Sequence, residues 1–407
     1  MKVRPGLLAA VSLVAAIIGA GLVLVVARAA GWLDRGSNTT TVVQVEAGGA
    51  GSAAPVVVAK PLQGNGFAPA QVYRARAAGV VTIYSTFGAA GSASASAGLG
   101  SGFVVGRDGT ILTSAHVITT AGHGQGGSVA PARTIYVGFG DGDRVPAAIV
   151  GYDLYDDVGV IRVDPKAHPV SPVPLGDSSR VVVGQPVAAI GSPFGNADSL
   201  SVGVVSAIRR SIPSITTNYD LVDAIQTDAP INHGNSGGPL FDARGRVIGI
   251  NAQIRSTGDS SGFEGVGFAV PIDSARRSLR QLVRAGKVTY AYVGITTEDL
   301  TPSIAKKFGY AAARGALIDS FASGRSAGRQ AGLRAATRVV AFEGQAVRVG
   351  GDAIVAIDGV PVASAEDVVR IVADRLVPGQ TAVFTVVRGH RRLSVPVRLD
   401  ARPTPAG

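Results

Sequence analysis

A serine flanked by glycines is the residue of this chain with the clearest chemical potential. Ser236 lies in the segment Gly234 to Pro239, which reads GNSGGP. The glycines after the serine permit backbone conformations that a side chain would forbid, and they leave room for a substrate. The backbone N–H groups of the Gly234, Asn235 and Ser236 stretch can converge on one point as an oxyanion hole, which makes Ser236 a candidate nucleophile. The alternative is a glycine-rich turn between two strands.

A nucleophilic serine needs a base, and the chain contains five histidines. His116 follows an apolar run that reads as the second strand of a hairpin, so it lies where a strand enters a loop. His123 is in a glycine-rich polar loop, and His168 and His390 are in connecting segments. His233 is three residues before Ser236 in the same loop, and its backbone is too close to that of the serine for its ring to turn back and act as the base. His116 is therefore the best candidate for the base.

The orienting acid should be an aspartate at the edge of an apolar strand, where it can bind the imidazole N–H and fix its tautomer. Asp157 opens such a run, from Asp157 to Val163. Asp156 and Asp153 are nearby alternatives. Because adjacent strand residues point to opposite faces, only one of Asp156 and Asp157 can face His116.

Three segments, in this order, resemble the triad segments of the HtrA (Deg) family of trypsin-like serine proteases: Thr113 to His116, Asp157 to Ile161, and Gly234 to Leu240. The order His, Asp, Ser is that of the chymotrypsin fold and not of subtilisin or the α/β-hydrolases. Matching the second segment to the family pattern Asp-Leu-Ala-Val-Leu selects Asp157 over Asp156. The resemblance covers most of residues 70 to 395 and includes further segments: Gly98 to Phe103, Ala189 to Gly195, Gln226 to Ala229, and Gly265 to Pro271.

The resemblance implies a mostly β fold, a chymotrypsin-like double six-stranded β-barrel with the triad in the cleft between the barrels. Short apolar runs with Gly/Pro turns between them agree with an all-β barrel architecture. Helical spacing of apolar residues predicts one helix from Ile272 to Ala285. His233 stands where the family usually has proline. The interval from His116 to Asp157 is long for the family, and the glycine-rich stretch from Ala121 to Pro131 accounts for the excess.

The resemblance also places a substrate pocket, S1, between residues 229–234 and 250–254. Lys/Arg-specific relatives carry an acidic residue six positions before the nucleophile, whereas this chain has Pro230 there. We therefore expect cleavage after small or medium aliphatic residues, in unfolded proteins. The residues assigned to this region are Pro230, Ile231, Asn251, Ala252 and Gln253.

The last hundred residues resemble a PDZ domain of HtrA type. Tyr292, Val293, Gly294 and Ile295 match its carboxylate-binding loop, whose N–H groups hold a peptide C-terminus while the peptide adds a strand. C-terminal peptides are therefore expected partners. An insertion at residues 335–350 departs from the usual pattern and reads as an extra hairpin.

The N-terminus predicts a membrane anchor. Lys2 and Arg4 precede an uncharged stretch from Gly6 to Ala27, which has the roughly 20 residues that a spanning helix needs. The basic residues favour a cytoplasmic N-terminus, and they place the catalytic part outside the cell membrane, in a bacterial envelope. The alternative is a cleaved signal peptide, because Ala27-Arg28-Ala29 has the small-x-small form.

Composition excludes several other classes of protein. The chain has no cysteine, so it can form neither a disulfide nor a zinc–thiolate site. Its net charge of +10 is spread over single arginines without a basic run, which argues against nucleic-acid binding. No cofactor or metal is expected. The predicted domains are 1–33 (cytoplasmic tip and anchor), 34–68 (flexible linker), 69–286 (protease), 290–400 (PDZ) and 401–407 (tail).

Taken together, the patterns predict a membrane-anchored serine endopeptidase that cleaves misfolded or specific envelope proteins. PDZ-mediated peptide binding would recruit substrates or regulate activity, and the family often forms homotrimers. The alternative is a proteolytically silent, membrane-tethered PDZ adaptor or chaperone.

Overall fold

The structure is a computed structural model that describes residues 67–88, 96–121, 129–191, 199–217, 219–232, 234–254 and 265–403. The predicted anchor and nearly all of the predicted linker lie outside these residues, as do His123 and His233. None of the helices within the described ranges is both long and apolar enough to cross a bilayer.

Residues 80–163 form a closed six-stranded barrel in the order β1-β2-β3-β6-β5-β4, and all its neighbouring strands are antiparallel. β-branched residues such as Val81, Ile83 and Ile161 fill its interior, where their shape suits a pleated surface. The strands are β1 Val80–Phe87, β2 Ser96–Val104, β3 Thr110–Thr113, β4 Thr134–Gly138, β5 Arg144–Asp153 and β6 Val158–Val163.

A second closed six-stranded barrel follows, in the order β10-β11-β12-β9-β8-β7. The predicted double six-stranded barrel is therefore confirmed. The strands are β7 Pro186–Gly191, β8 Ser199–Pro213, β9 Asp220–Thr227, β10 Pro239–Asp242, β11 Val247–Ile254 and β12 Gly267–Pro271.

Three helices accompany the two barrels. The helices of this region are α1 Pro69–Arg76, α2 Ala115–Ile118 and α3 Ile272–Ala285, and short 3₁₀ turns cover Ala77–Gly79 and Ser178–Arg180. Helix α3 has the predicted bounds and is capped by Gly286, whose φ of 68° suits a glycine. It packs closely on the first barrel, since a Cβ at Gly151 of β5 would lie 2.9 Å from Leu282 Cδ2. A larger residue here would displace the Leu282 side chain, so the glycine lets α3 pack closely over the end of β5.

The C-terminal domain is an antiparallel sheet in the order β14-β15-β18-β20-β21, with β19 paired to β18. The first and last strands of the domain, β13 and β22, pair with each other in a separate two-stranded sheet. Its strands are β13 Ala291–Tyr292, β14 Ile295–Leu300, β15 Gly315–Phe321, β16 Arg338–Phe342, β17 Gln345–Val349, β18 Ala353–Ile357, β19 Val360–Pro361, β20 Thr381–Arg388, β21 Arg391–Arg398 and β22 Asp400–Ala401. Its helices are α4 Pro302–Phe308, α5 Ala327–Gln330 and α6 Ala365–Arg375.

The insertion at residues 335–350 contains the predicted extra hairpin, since β16 pairs only with β17 in a sheet of their own. Glu343 and Gly344 form the turn with φ values of 50° and 77°. Positive φ at both central residues is what a type I′ hairpin turn requires.

Asp223 of β9 makes the folded protein less stable as the pH rises. Burial, and after it the charge of Asp374, raises the pKa of Asp223 to about 6. The folded state thus binds this proton more tightly than the unfolded state, so stability is lost as the pH rises from about 4 through about 6. We expect Asp223→Asn to raise the free energy of unfolding by about 2 kcal/mol at pH 8. Asparagine also tolerates the φ of 62° at this position.

Urea unfolding at pH 8 and at pH 4.5 measures this effect. The increase in the free energy of unfolding should be smaller at pH 4.5. At that pH the wild-type carboxyl is protonated in the folded state and increasingly so in the unfolded chain. An equal gain at both pH values would mean that the titration of Asp223 is not its source.

Candidate active site

His116 lies in helix α2, one turn of helix that follows β3 directly. Its ring Nδ1 is 2.7 Å from Asp157 Oδ2, and its backbone N–H donates to Asp157 Oδ1 at 2.9 Å. A single carboxylate thus holds both the backbone and the ring of His116. With the Nδ1 proton directed at the carboxylate, the other ring nitrogen is left free to accept a proton.

Asp157 occupies the turn between β5 and β6. The sequence placed it as the first residue of a strand, but the strand begins one residue later, at Val158. Its φ of 51° lies in the left-handed region, which aspartate tolerates better than most residues. Its carbonyl accepts the Ala115 N–H at 3.2 Å, so main chain and side chain of Asp157 both bind α2. Its side chain is only 4% exposed, which keeps water from competing for these bonds.

The two alternative aspartates face away from the histidine. Asp156 Oδ2 accepts a hydrogen bond from Arg277 Nη2 at 2.7 Å, and Asp153 Oδ2 accepts one from Ser278 Oγ at 2.6 Å. These contacts leave Asp157 as the aspartate of the three that binds His116. The expected alternation along a strand does not apply, because Asp156 and Asp157 both lie in the turn before β6, and the turn directs them to different partners.

The loop of Ser236 is hydrogen-bonded to Ser101 of β2, the strand that pairs with β3, and β3 leads to the histidine. The Ser101 N–H donates to the Ser236 carbonyl at 2.8 Å, and Ser101 Oγ donates to the Gly234 carbonyl at 2.5 Å. Gly237 has a φ of 83°, and a Cβ there would lie 2.9 Å from the backbone nitrogen of Ser114. Ser236 is thus next to the segment that carries His116. Sequence reasoning matched the Ser101 segment to the family but gave Ser101 no role; its position between Gly100 and Gly102 was the available signal.

The same loop contains the amides that could bind an oxyanion. Within the described part of the chain, the N–H groups of Gly234 and Ser236 have no hydrogen-bond acceptor. The Asn235 N–H, in contrast, donates to the Asn232 carbonyl at 2.9 Å, inside the loop. Gly234 and Ser236 can therefore supply the two donors of an oxyanion hole, while Asn235 closes the turn between them.

The Ser236 hydroxyl donates to the Ala252 carbonyl at 3.2 Å. No hydrogen bond joins it to His116 among the described residues, so a rotation about χ1 would have to bring Oγ to the histidine. Catalytic hydrogen bonds are often long or misaligned before substrate binds.

The residues assigned to S1 occupy different environments. Pro230 is exposed, whereas Ile231 packs in the core of the second barrel. Asn251 and Ala252 are buried in β11, beside the serine, and Gln253 follows them in that strand. Ala252 thus lies closest to the reacting hydroxyl through its carbonyl.

The predicted carboxylate loop connects β13 to β14. Gly294 has a φ of 73°, and a Cβ there would lie 2.8 Å from Ser326 Cα, so only glycine fits. The Val293 carbonyl accepts the Gly328 N–H at 2.8 Å, which fixes the loop. A cavity of about 640 Å³ adjoins it; its lining includes Tyr292, Val293, Gly294, Ile295, Val368 and Val372. This groove lies between β14 and α6 and has an apolar wall.

One group among the described residues could ligate a metal. Asp141, Asp143 and His168 place their donor atoms within 4.8 Å of one another at the turn between β4 and β5. His168 Nε2 already binds Asp141 Oδ2 at 2.9 Å, and the ring stacks on Phe139. Both aspartates are exposed, and the group belongs to neither the serine loop nor the histidine helix.

The model of a trypsin-like peptidase domain matches residues 100–250, which include all three candidate catalytic residues. A probable periplasmic serine endoprotease, DegP-like, of Pseudomonas fluorescens is 37% identical over 305 residues, covering 75% of this chain and 56% of its own. Protease Do-like 1, chloroplastic, of Arabidopsis thaliana is 37% identical over 306 residues, covering 75% of this chain and 64% of its own. The chain therefore spans between 56% and 64% of the length of these two relatives.

Solved structures resemble this chain beyond the peptidase domain. The HtrA-type protease AlgW with a tripeptide aligns with a TM-score of 0.66 and 29% identity over 83% of this chain and 98% of its own. The serine endoprotease from Yersinia pestis aligns with a TM-score of 0.56 and 27% identity over 83% of this chain and 98% of its own.

Proposed function

The chain belongs to the HtrA (Deg) family of trypsin-like serine endoproteases, and from this premise we propose that it hydrolyses peptide bonds with Ser236 as nucleophile, His116 as base and Asp157 as the orienting acid. The observation that carries the proposal is the 2.7 Å contact between His116 Nδ1 and Asp157 Oδ2 beside the glycine-rich loop of Ser236.

The reaction begins when Ser236 Oγ attacks the carbonyl carbon of the scissile bond and His116 Nε2 takes its proton. Asp157 holds the tautomer that makes this possible and stabilises the imidazolium that forms. The N–H groups of Gly234 and Ser236 bind the oxyanion, and His116 then returns the proton to the leaving amine. Water hydrolyses the acyl-enzyme by the same steps in reverse.

The proposed substrates are misfolded or specific proteins of the cell envelope, cleaved after small or medium aliphatic residues. A neutral wall at Pro230 and the small side chain of Ala252 support this preference. An extracytoplasmic site of action is supported by the name of the Pseudomonas relative, a periplasmic protease. The same proposal includes a membrane anchor within residues 1–33 and assembly into a homotrimer.

The C-terminal domain is proposed to be a PDZ domain that takes the C-terminus of a peptide at the Tyr292–Ile295 loop. The groove between β14 and α6 offers an open strand edge and an apolar wall, which is how such domains add a peptide strand. Structures of the HtrA-type protease AlgW were solved with a tripeptide and with a decapeptide, which supports peptide binding in this family.

A fluorophosphonate probe, which reacts only with activated serines, tests the enzymatic proposal on the full chain. We expect one label per chain at Ser236 and a parallel loss of casein hydrolysis, with and without added peptides that end in an apolar residue. Failure to label and to cleave under both conditions would contradict the proposal and favour the silent PDZ adaptor.

A further inference from the structure

An ionic bridge joins the barrels to the C-terminal domain directly beside the catalytic aspartate. Arg277 of α3 donates through Nη2 to Asp156 Oδ2 at 2.7 Å and through Nη1 to Asp374 of α6. Asp156 is the residue that precedes Asp157. A single guanidinium thus reaches from a helix of the C-terminal domain to the turn that carries the candidate acid.

The bridge is shielded from water at its barrel end. The side chains of Arg277 and Asp156 are 17% and 10% exposed, and that of Asp374 is 38% exposed. Breaking a buried pair leaves an uncompensated charge, so the two buried partners constrain each other strongly. The planar fork of arginine can hold two carboxylates at fixed positions, which lysine cannot do.

A second hydrogen bond, from Tyr290, holds the carboxylate of Asp156 beside Arg277. The Tyr290 hydroxyl is 2.9 Å from Asp156 Oδ2 and also bonds Asp153 Oδ2. Burial, and after it the charge of Asp156, raises the pKa of Asp153. Because one hydroxyl has one hydrogen, Tyr290 lies where it can donate to either carboxylate, and it links Asp153 to Asp156.

A displacement of Asp156 would also move Asp157, the next residue in the chain, which binds His116. Asp157 has a left-handed backbone with a φ of 51°, and such a residue keeps its conformation only where its surroundings enforce it. Its carbonyl and both carboxylate oxygens bind the helix that carries His116. A shift at Asp156 therefore moves the carboxylate that orients the base.

We infer that Arg277 is a positioning residue, which fixes catalytic Asp157 through Asp156 and makes that placement depend on Asp374 of the C-terminal domain. The inference rests on the proposed function, since it assumes that Asp157 orients His116.

The experiment compares kcat, KM and the pH profile of kcat/KM for casein-derived peptides, using the full chain and its Arg277→Gln, Asp374→Asn and Arg280→Gln variants. We expect Arg277→Gln to lower kcat by about 10- to 100-fold with little change in KM, the size of effect that a small misplacement of a catalytic group produces. Asp374→Asn should show a smaller loss of the same kind. Arg280→Gln removes the same charge from an exposed position of α3 and should stay within about twofold of wild type.

The pH profile separates positioning from simple electrostatics. If Arg277 acted only through its charge, its removal would let the base protonate more readily, and the acidic limb of kcat/KM would move to higher pH. A base that loses part of its carboxylate contact protonates less readily, so positioning moves that limb to lower pH, by up to about 1 unit. Asp374→Asn keeps the test open if Arg277→Gln does not fold, because its site is partly exposed.

The inference would be overturned if the acidic limb of kcat/KM for Arg277→Gln stayed in place or moved to higher pH. It would also be overturned if Asp374→Asn had the same kinetics as the wild type. Either result leaves the proposed function intact as long as the wild-type chain is active and the fluorophosphonate probe labels it. An unreactive wild type would instead refute the proposed function itself.

Discussion

Ser236→Ala is expected to lower kcat for peptide hydrolysis by about 10⁶-fold, the order seen when the nucleophile of a serine protease is removed. Alanine has no hydroxyl to attack the substrate, and the two amides without an acceptor among the described residues belong to the loop of this serine. The remaining rate, about 10³- to 10⁴-fold above that of water, would come from the oxyanion hole and substrate binding. KM should change little, since alanine removes one oxygen and leaves the loop intact.

The matched control is Ser303→Ala, which removes an exposed serine hydroxyl from helix α4. It should hydrolyse casein and react with the fluorophosphonate probe as the wild type does. Circular dichroism should show that both variants fold. Turnover by Ser236→Ala equal to that of Ser303→Ala would rule out Ser236 as the nucleophile.

Asp157→Asn is expected to lower kcat at neutral pH by about 10⁴-fold, as the equivalent change does in another trypsin-like enzyme. The structure gives a specific reason. Oδ1 must accept the His116 backbone N–H, so the asparagine amide group would take the position of Oδ2 and point its hydrogens at Nδ1. The ring would then carry its proton on Nε2 and could not accept one from Ser236. The variant tests the role of the carboxylate with almost no change in volume.

Asp153→Asn is the matched control for this substitution, because Asp153 is a neighbouring buried aspartate that bonds Ser278 and Tyr290. Asparagine keeps the shape of the side chain and an oxygen that accepts from Ser278, and the substitution removes no bond to His116, so activity should stay within a few-fold of wild type. Comparable losses in the two variants would show that the turn as a whole, and not the contact with His116, determines the rate. Steady-state kinetics at pH 7 and 8 provide the measurement.

Local sequence patterns were enough for several elements. Apolar spacing gave helix α3 its bounds, and the turn residues Glu343 and Gly344 marked the extra hairpin. These features depend on residues close to one another along the chain, where periodicity and backbone preference act directly. Val283 shows the limit of the pattern: it matches the helical spacing but is 52% exposed, because burial depends on which neighbours pack against the helix.

The sequence by itself determined which chemical groups this protein has, in which order, and which of them lie in glycine-rich turns. Those properties identify the family and name the three candidate catalytic residues. Only the tertiary structure decided how residues far apart in the chain meet. In the folded chain, Ser101 donates to the loop of Ser236, and Asp157 binds His116. Asp156 binds Arg277, which also contacts the C-terminal domain. The physical reason is that these contacts form when the barrels close and α3 packs onto them, and no local pattern of residues encodes such long-range packing.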